Sequence, residues 1–208
     1  MRLQTKINLL FSIIVVIFAV VLSYFIYTSS TKLITDSLGD KARNMAKIVA
    51  ENIDMNQLQK VTERTLQMKN QKGEQDEILS MSEYKSLRQY LWEFKRVYGL
   101  KYIYIMAKSK YGKTIYIVDG FPIEYAGSEV SMPGDEEVNT YELLELSFEE
   151  GKPFIGELTY DKEWGANIAS YVPLFNGNGD TIGVLGIDIE AHDIYELIEK
   201  NRRKIIII

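Results

Sequence analysis

The 208-residue chain contains no cysteine, one histidine and four prolines. Without cysteine there is no disulfide staple, no thiolate metal ligand and no thiol nucleophile. With His192 alone, a zinc site would need several carboxylates at ligand spacing, and the sequence holds no such cluster. Basic residues do not dominate either: 24 Lys and Arg stand against 29 Asp and Glu, for a net charge of −5. No basic stripe is interleaved with aromatic residues, which excludes nucleic acid as a partner. The glycines of Gly177-x-Gly179 do not open a helix after a strand, so there is no dinucleotide fingerprint. Asn176, Asn178 and Asp180 alternate like the start of a calcium loop. However, Thr181 stands where the sharp-turn glycine belongs and Ile187 where the bidentate glutamate belongs. No nucleophile is paired with a base, so the chain is expected to be no enzyme and to carry no cofactor.

What the chain does have is a long apolar run, from Ile7 to Tyr27, broken only by Asn8, Ser12 and Ser23 as clearly polar residues. As a helix it would reach roughly 30 Å, enough to cross a bilayer. The run is longer than a signal-peptide core, and no small-residue cleavage site follows in Thr28 to Lys32, which favours an uncleaved anchor. Arg2 and Lys6 precede it and put residues 1–6 in the cytoplasm. Residues 28–204 are then an extracytoplasmic domain, and Ile205 to Ile208 read as the start of a truncated second span. Lys200, Arg202, Arg203 and Lys204 pull the charge rule the other way. The expected location is the cell membrane.

Beyond the anchor, Ile34, Leu38, Ala42, Met45, Val49 and Ile53 recur at spacings of three and four and predict a long helix. Its stripe suggests a parallel homodimer whose partner packs along Leu38, Met45 and Val49. Residues 67–77, polar and carrying Gly73, read as a loop. Ser80 and Glu83 form a capping-box pair ahead of Tyr84, Leu87, Leu91, Phe94 and Tyr98, a second amphipathic helix that Gly99 ends. From Leu100 the period becomes two. Strands are expected over 101–107, 113–119, 154–160, 166–175 and 181–190, with a short helix over 141–149 and a closing helix from Asp193. Asn176 to Asp180 is a hairpin turn, since Asn and Gly accept the backbone that tight turns demand. The fold class is α+β, a five-stranded antiparallel sheet with a long N-terminal helix on a transmembrane anchor.

Alternation along each strand separates two faces. Ile103, Ile105, Ile115, Ile117, Ile168, Val172, Leu174, Leu185, Ile187 and Ile189 fall on an aliphatic face. Tyr102, Tyr104, Met106, Tyr116, Asn167, Ala169, Tyr171, Val184, Gly186 and Asp188 fall on the other. The second set could be a solvated face, an aromatic mini-core, or the wall of a small-ligand pocket with rings, polar groups and room. Asp188 favours the pocket. It lies in an otherwise apolar strand, where its carboxylate must meet a donor, either a protein amide or hydroxyl or an amine on a ligand. Trp164, at the mouth of a strand, is a candidate wall beside Tyr104, Tyr116, Asn167, Tyr171 and Asp188.

The stretch Gly165-Ala-Asn-Ile-Ala-Ser-Tyr-Val-Pro-Leu174, the Gly-Asn turn and Ile182-Gly-Val-Leu-Gly-Ile-Asp-Ile189 resemble the C-terminal hairpin of Cache domains, PAS-like extracytoplasmic sensors of bacteria and archaea. Tyr102 to Met106 and Glu149 to Phe154 resemble that family too, and the likeness covers the ectodomain as a single module. The resemblance implies a sheet with a long helix on one face and a pocket for a small-molecule metabolite on the other, within a chemoreceptor, histidine kinase or cyclic-dinucleotide enzyme. Asp188 matches the acidic residue of the family's Gly-x-x-Gly-x-Asp strand, which receives the ligand ammonium in amino-acid-binding members. Their carboxylate-clamping Arg-x-Trp-Tyr stretch is absent around Phe148 to Phe154, so amino-acid specificity is not implied. The rival class is an adhesion or scaffolding domain without a pocket.

Overall fold

A computed structural model describes residues 3–68, 72–124, 130–161 and 165–206. The candidate residue Trp164 lies outside the described residues, as do Ile207 and Ile208 of the expected second span. The chain divides into two units, Met1–Ser37 and Leu38–Ile208. The first is the N-terminal part of α1 (Leu3–Asn52), whose most apolar window has a mean hydropathy of 3.0 and is not buried at all. By length and composition this helix can cross a membrane.

In the second unit the rest of α1 lays Gly39, Ala42, Met45, Ala46 and Val49 into the interior. These small side chains let the helix approach closely: a Cβ on Gly39 would stand 2.4 Å from Ile155 Cγ2 on the sheet. Met45 and Val49 are buried in the same core as Ile103, Ile117 and Leu185, and Leu38 packs against it. That corrects the expected dimer seam, because the stripe faces the domain's own sheet and Met45 and Val49 are not free to meet a partner.

Two helices that periodicity did not predict follow. At α2 (Met55–Leu66), the Asp54 carboxylate accepts the amides of Asn56 at 3.0 Å and Gln57 at 3.1 Å, and Leu58, Val61, Thr62 and Thr65 are buried at helical spacing. The expected loop over 67–77 is in its second half a helix, α3 (Lys72–Ser80), despite Gly73. Ile78 anchors it, fully buried, and Arg64 of α2 bonds Glu77 at 2.5 Å, so tertiary contact overrides weak propensity. The capping-box expectation also fails. Ser80 closes α3, donating to the Glu77 carbonyl at 2.6 Å, and α4 (Ser82–Tyr98) starts after Met81 without a side-chain cap. Gly99 ends α4 in the left-handed conformation, φ 65°.

The strands are β1 (Tyr102–Lys108), β2 (Thr114–Asp119), β3 (Phe154–Asp161), β4 (Gly165–Phe175) and β5 (Thr181–Glu190). They form one sheet in the order β2-β1-β5-β4-β3 with every neighbouring pair antiparallel, the PAS-like arrangement expected. Between β2 and β3 lies α5 (Glu142–Glu150), and α6 (His192–Ile206) follows β5. The β4–β5 turn is held by Asn176 Oδ1, which accepts the amides of Asn178 and Asp180 at 2.9 Å each. Helices α1, α2 and α4 cover the aliphatic face, and α5 reaches over the other.

The close approach at Gly39 sets a test. Gly39→Val must push a branched side chain into Ile155, a stiff β-branched neighbour, and is expected to cost about 1–3 kcal/mol of stability. Urea denaturation of the full chain in detergent reads the loss; an unchanged midpoint would contradict the helix-on-sheet contact.

Candidate functional site

On the face opposite the long helices the sheet carries a cavity of about 630 Å³. Tyr104, Tyr116, Asn167, Tyr171 and Asp188 all line it. The register explains why. Tyr104 of β1 pairs with Gly186 of β5, Tyr102 pairs with Asp188, and Ala169 of β4 pairs with Asp188 from the other side, so side chains from three adjacent strands emerge together. The Tyr104 ring lies on Gly186, where a Cβ would come within 2.2 Å of it. Tyr104 and Tyr116 meet edge to face with centroids 5.9 Å apart. Asn167 accepts the Thr159 hydroxyl through Oδ1 at 3.1 Å.

Strand alternation missed Asp119. In β2, positions 116 and 119 have opposite parity and belong on opposite faces of a regular strand. A bulge intervenes: Met106 pairs with Tyr116, Ile105 with Val118 and Tyr104 with Asp119, leaving Ile117 as the extra residue. Ile117 is buried in the helix-side core, and Asp119 is brought onto the cavity wall with Tyr116. Glu137 was missed because it lies in the irregular segment after β2. Glu137 Oε2 accepts the Tyr116 hydroxyl at 2.6 Å. Tyr141 and Leu143, at the start of α5, complete the roof.

The electrostatics of this wall are one-sided. Asp188 is 7% exposed and Asp119 is 4% exposed. Burial pushes the Asp188 carboxyl up to about 7, against the pull of the Tyr104 hydroxyl and Lys101, and Asp119 and Glu137 push it further the same way. Burial also lifts Asp119 to about 6. The Ser131 amide, which donates to Oδ2 at 2.9 Å, opposes that lift together with Lys95, Arg88 and the Gly120 amide. Tyr104, Tyr116 and Tyr171 are all raised, mainly by burial, and stay neutral donors. Tyr104 Oη donates to Asp188 Oδ1 at 3.3 Å, a long bond, and Oδ2 accepts none among the described residues.

The neighbouring cations are committed elsewhere. Arg88 of α4 donates to the carbonyls of Phe121 at 2.9 Å and Pro122 at 2.8 Å. Lys95 lies over the Phe121 ring, 3.6 Å from its centroid, and Lys101 pairs with Glu190 at 3.9 Å. Among the described residues no group of three or more His, Cys, Asp or Glu converges as metal ligands. The arrangement can hold an organic molecule between tyrosine rings and present carboxylates to it.

No family model and no curated protein matches the chain. Among solved structures it is similar to the sensory domain of the Campylobacter jejuni chemoreceptor Tlp3, with 16% identity over 80% of this chain and 66% of that chain, TM-score 0.39. It is also similar to the ligand-binding domain of the Pseudomonas aeruginosa amino acid chemoreceptor PctC in complex with GABA (13% identity, 77% and 65% covered, TM-score 0.36). A third is the A. aeolicus nlh2 GAF domain in an inactive state (13%, 76% and 92%, TM-score 0.34). The chain thus spans just under two thirds of the Tlp3 domain's length. At such identities and TM-scores, the functional reading rests on the chain's own sheet and cavity.

The raised Asp188 carboxyl has a stability consequence. Its folded value lies above its ordinary value of 3.8, so the folded state holds a proton that the unfolded state has lost between about pH 4 and pH 7. The stability this contributes is complete below that window and is lost as pH rises through about 7. Asp119 adds a smaller effect of the same sign up to about pH 6. Asp188→Asn is therefore expected to flatten the fall in melting temperature across this window, relative to the unaltered chain. Parallel curves for the two proteins would contradict a buried, proton-holding Asp188.

Proposed function

We propose that residues 28–204 form an extracytoplasmic, Cache-like sensor domain that binds a small metabolite in this cavity. A membrane helix over residues 7–27, with residues 1–6 in the cytoplasm, anchors it as the sensing part of a receptor. The single observation that carries the reading is the cavity itself: about 630 Å³ of space walled by tyrosines, with two buried carboxylates facing it. An adhesion or scaffolding domain needs no such concavity of rings and a few convergent polar groups, the features of a small-molecule site. The receptor class, whether chemoreceptor, histidine kinase or cyclic-dinucleotide enzyme, belongs to the proposal. So does homodimeric assembly, through surfaces other than Met45 and Val49. Asp188 stands four positions before His192, the first residue of α6, so a ligand that moves β5 acts directly on that helix. It can do so only by the difference in its affinity for the two positions.

Two measurements test the reading. A metabolite library screened by thermal shift on the full chain in detergent is expected to yield a stabilising compound, since a ligand of the folded state raises stability by mass action. Asp188→Ala should abolish that shift and leave the domain folded. A compound whose shift survives both Asp188→Ala and Tyr116→Ala would place the site elsewhere. The absence of native cysteine allows a direct test of topology. Tyr111, 77% exposed in the β1–β2 turn, can be replaced by cysteine without touching the core. A membrane-impermeant maleimide should label Tyr111→Cys in intact cells; labelling only after lysis would overturn the orientation.

A further inference from the structure

The cavity's charge points to what it accepts. Four of its described lining residues are acidic, Asp119, Glu137, Glu142 and Asp188, and none is Lys, Arg or His. Among the described lining residues a ligand carboxylate meets no cationic side chain and faces four acidic ones. The two deep carboxylates are also set apart. β2 and β5 flank β1, and Asp119 is in register with Tyr104 while Asp188 is in register with Tyr102, so their backbones stand two strand spacings apart across the sheet and two residues apart along it, roughly 12 Å. They do not converge as a metal site would require. Tyrosine rings fill the wall between them, Tyr104 and Tyr116 edge to face, and a cation passing along such faces is stabilised by the ring quadrupoles.

We infer that the ligand is a short organic diamine without a carboxylate, one ammonium held at Asp188 beside the Tyr104 hydroxyl and the other at the Asp119 and Glu137 pole. Allowing about 3 Å for each charge-assisted bond, two carboxylates roughly 12 Å apart leave about 6 Å between the nitrogens, which a chain of about four carbons spans. Asp188 offers an oxygen that accepts no hydrogen bond among the described residues, and Tyr104 offers only a long one. Lys95 and Arg88, behind Asp119 on α4, offset part of its charge, but ring faces and carbonyls hold them outside the cavity lining. The inference rests on the sensor reading and narrows it.

Three compounds of one chain length separate the possibilities: putrescine with two ammonium groups, γ-aminobutyrate with one ammonium and one carboxylate, and succinate with two carboxylates. Isothermal titration calorimetry of the full chain in nanodiscs is expected to show putrescine binding at least tenfold more tightly than γ-aminobutyrate, and succinate not at all. Asp119→Asn and Asp188→Asn should each weaken putrescine at least tenfold. Both remove a buried charge and are expected to remain folded, which circular dichroism checks. Binding near pH 7 should also release protons, read as a buffer-dependent heat. The groups facing Asp188 there are Tyr104, Tyr171, Lys101, Asp119 and Glu137. Equal or tighter binding of γ-aminobutyrate or succinate would overturn the diamine and leave the sensor cavity intact. No response to putrescine would also overturn it, and the wider metabolite library then decides the sensor reading separately. Putrescine binding that neither Asp→Asn change weakens would overturn the two-pole site.

Discussion

A β-strand sends successive side chains to opposite faces, and that alternation lets one five-stranded sheet serve two environments. On one face Ile103, Leu185 and Ile187 bury against α1, α2 and α4. On the other, Tyr104 and Asp188 look into a cavity, and the Tyr104 ring covers Gly186. The aliphatic side supplies the apolar burial that holds the domain together, at roughly 25 cal/mol for each Å² removed from water. That stability tolerates a face that does the opposite: it lines a cavity and keeps carboxylates largely away from water. The Ile117 bulge breaks the alternation in β2, and it recruits Asp119 to the cavity.

Much of this is legible in the chain. Period-two runs of Ile, Val and Tyr mark the five strands, Asn176 to Asp180 marks the hairpin, and a lone Asp188 among aliphatics marks the place where a carboxylate needs a partner. What the pattern hides has physical reasons. α3 buries only Ile78 fully, with Leu79 half-buried beside it, and the Arg64–Glu77 pair ties it to α2, so it carries no repeating 3.6-residue stripe. α2 announces itself through the Asp54 cap and through Leu58, Val61, Thr62 and Thr65 at helical spacing, a short stripe whose two threonines dilute the apolar signal. The bulge depends on pairing between β1 and β2, which no single strand records. The stripe on α1 is real but ambiguous, because a helix that packs on its own sheet and one that packs on a second copy use the same spacing. Gly39, Ala42 and Ala46 carry the distinction: small residues let a helix approach a sheet closely.

The sensing account joins the two faces. In the proposed reading, a cation that pairs with Asp188 acts on β5, which leads into α6 through Ala191, whose amide donates to the Ala166 carbonyl at 3.1 Å. The Tyr160–Tyr195 stack, with centroids 4.9 Å apart, ties α6 to β3 as well, so the helix senses two strands that bound the cavity.

The central claim is that the buried Asp188 lines a cavity that takes a cationic ligand. The most direct measurement follows the ¹³C chemical shift of its carboxyl through a pH titration, with and without saturating ligand. The account predicts titration near pH 7 in the free protein and a displacement well downward when a cation occupies the cavity. Titration in the ordinary carboxylate range in both states would contradict it.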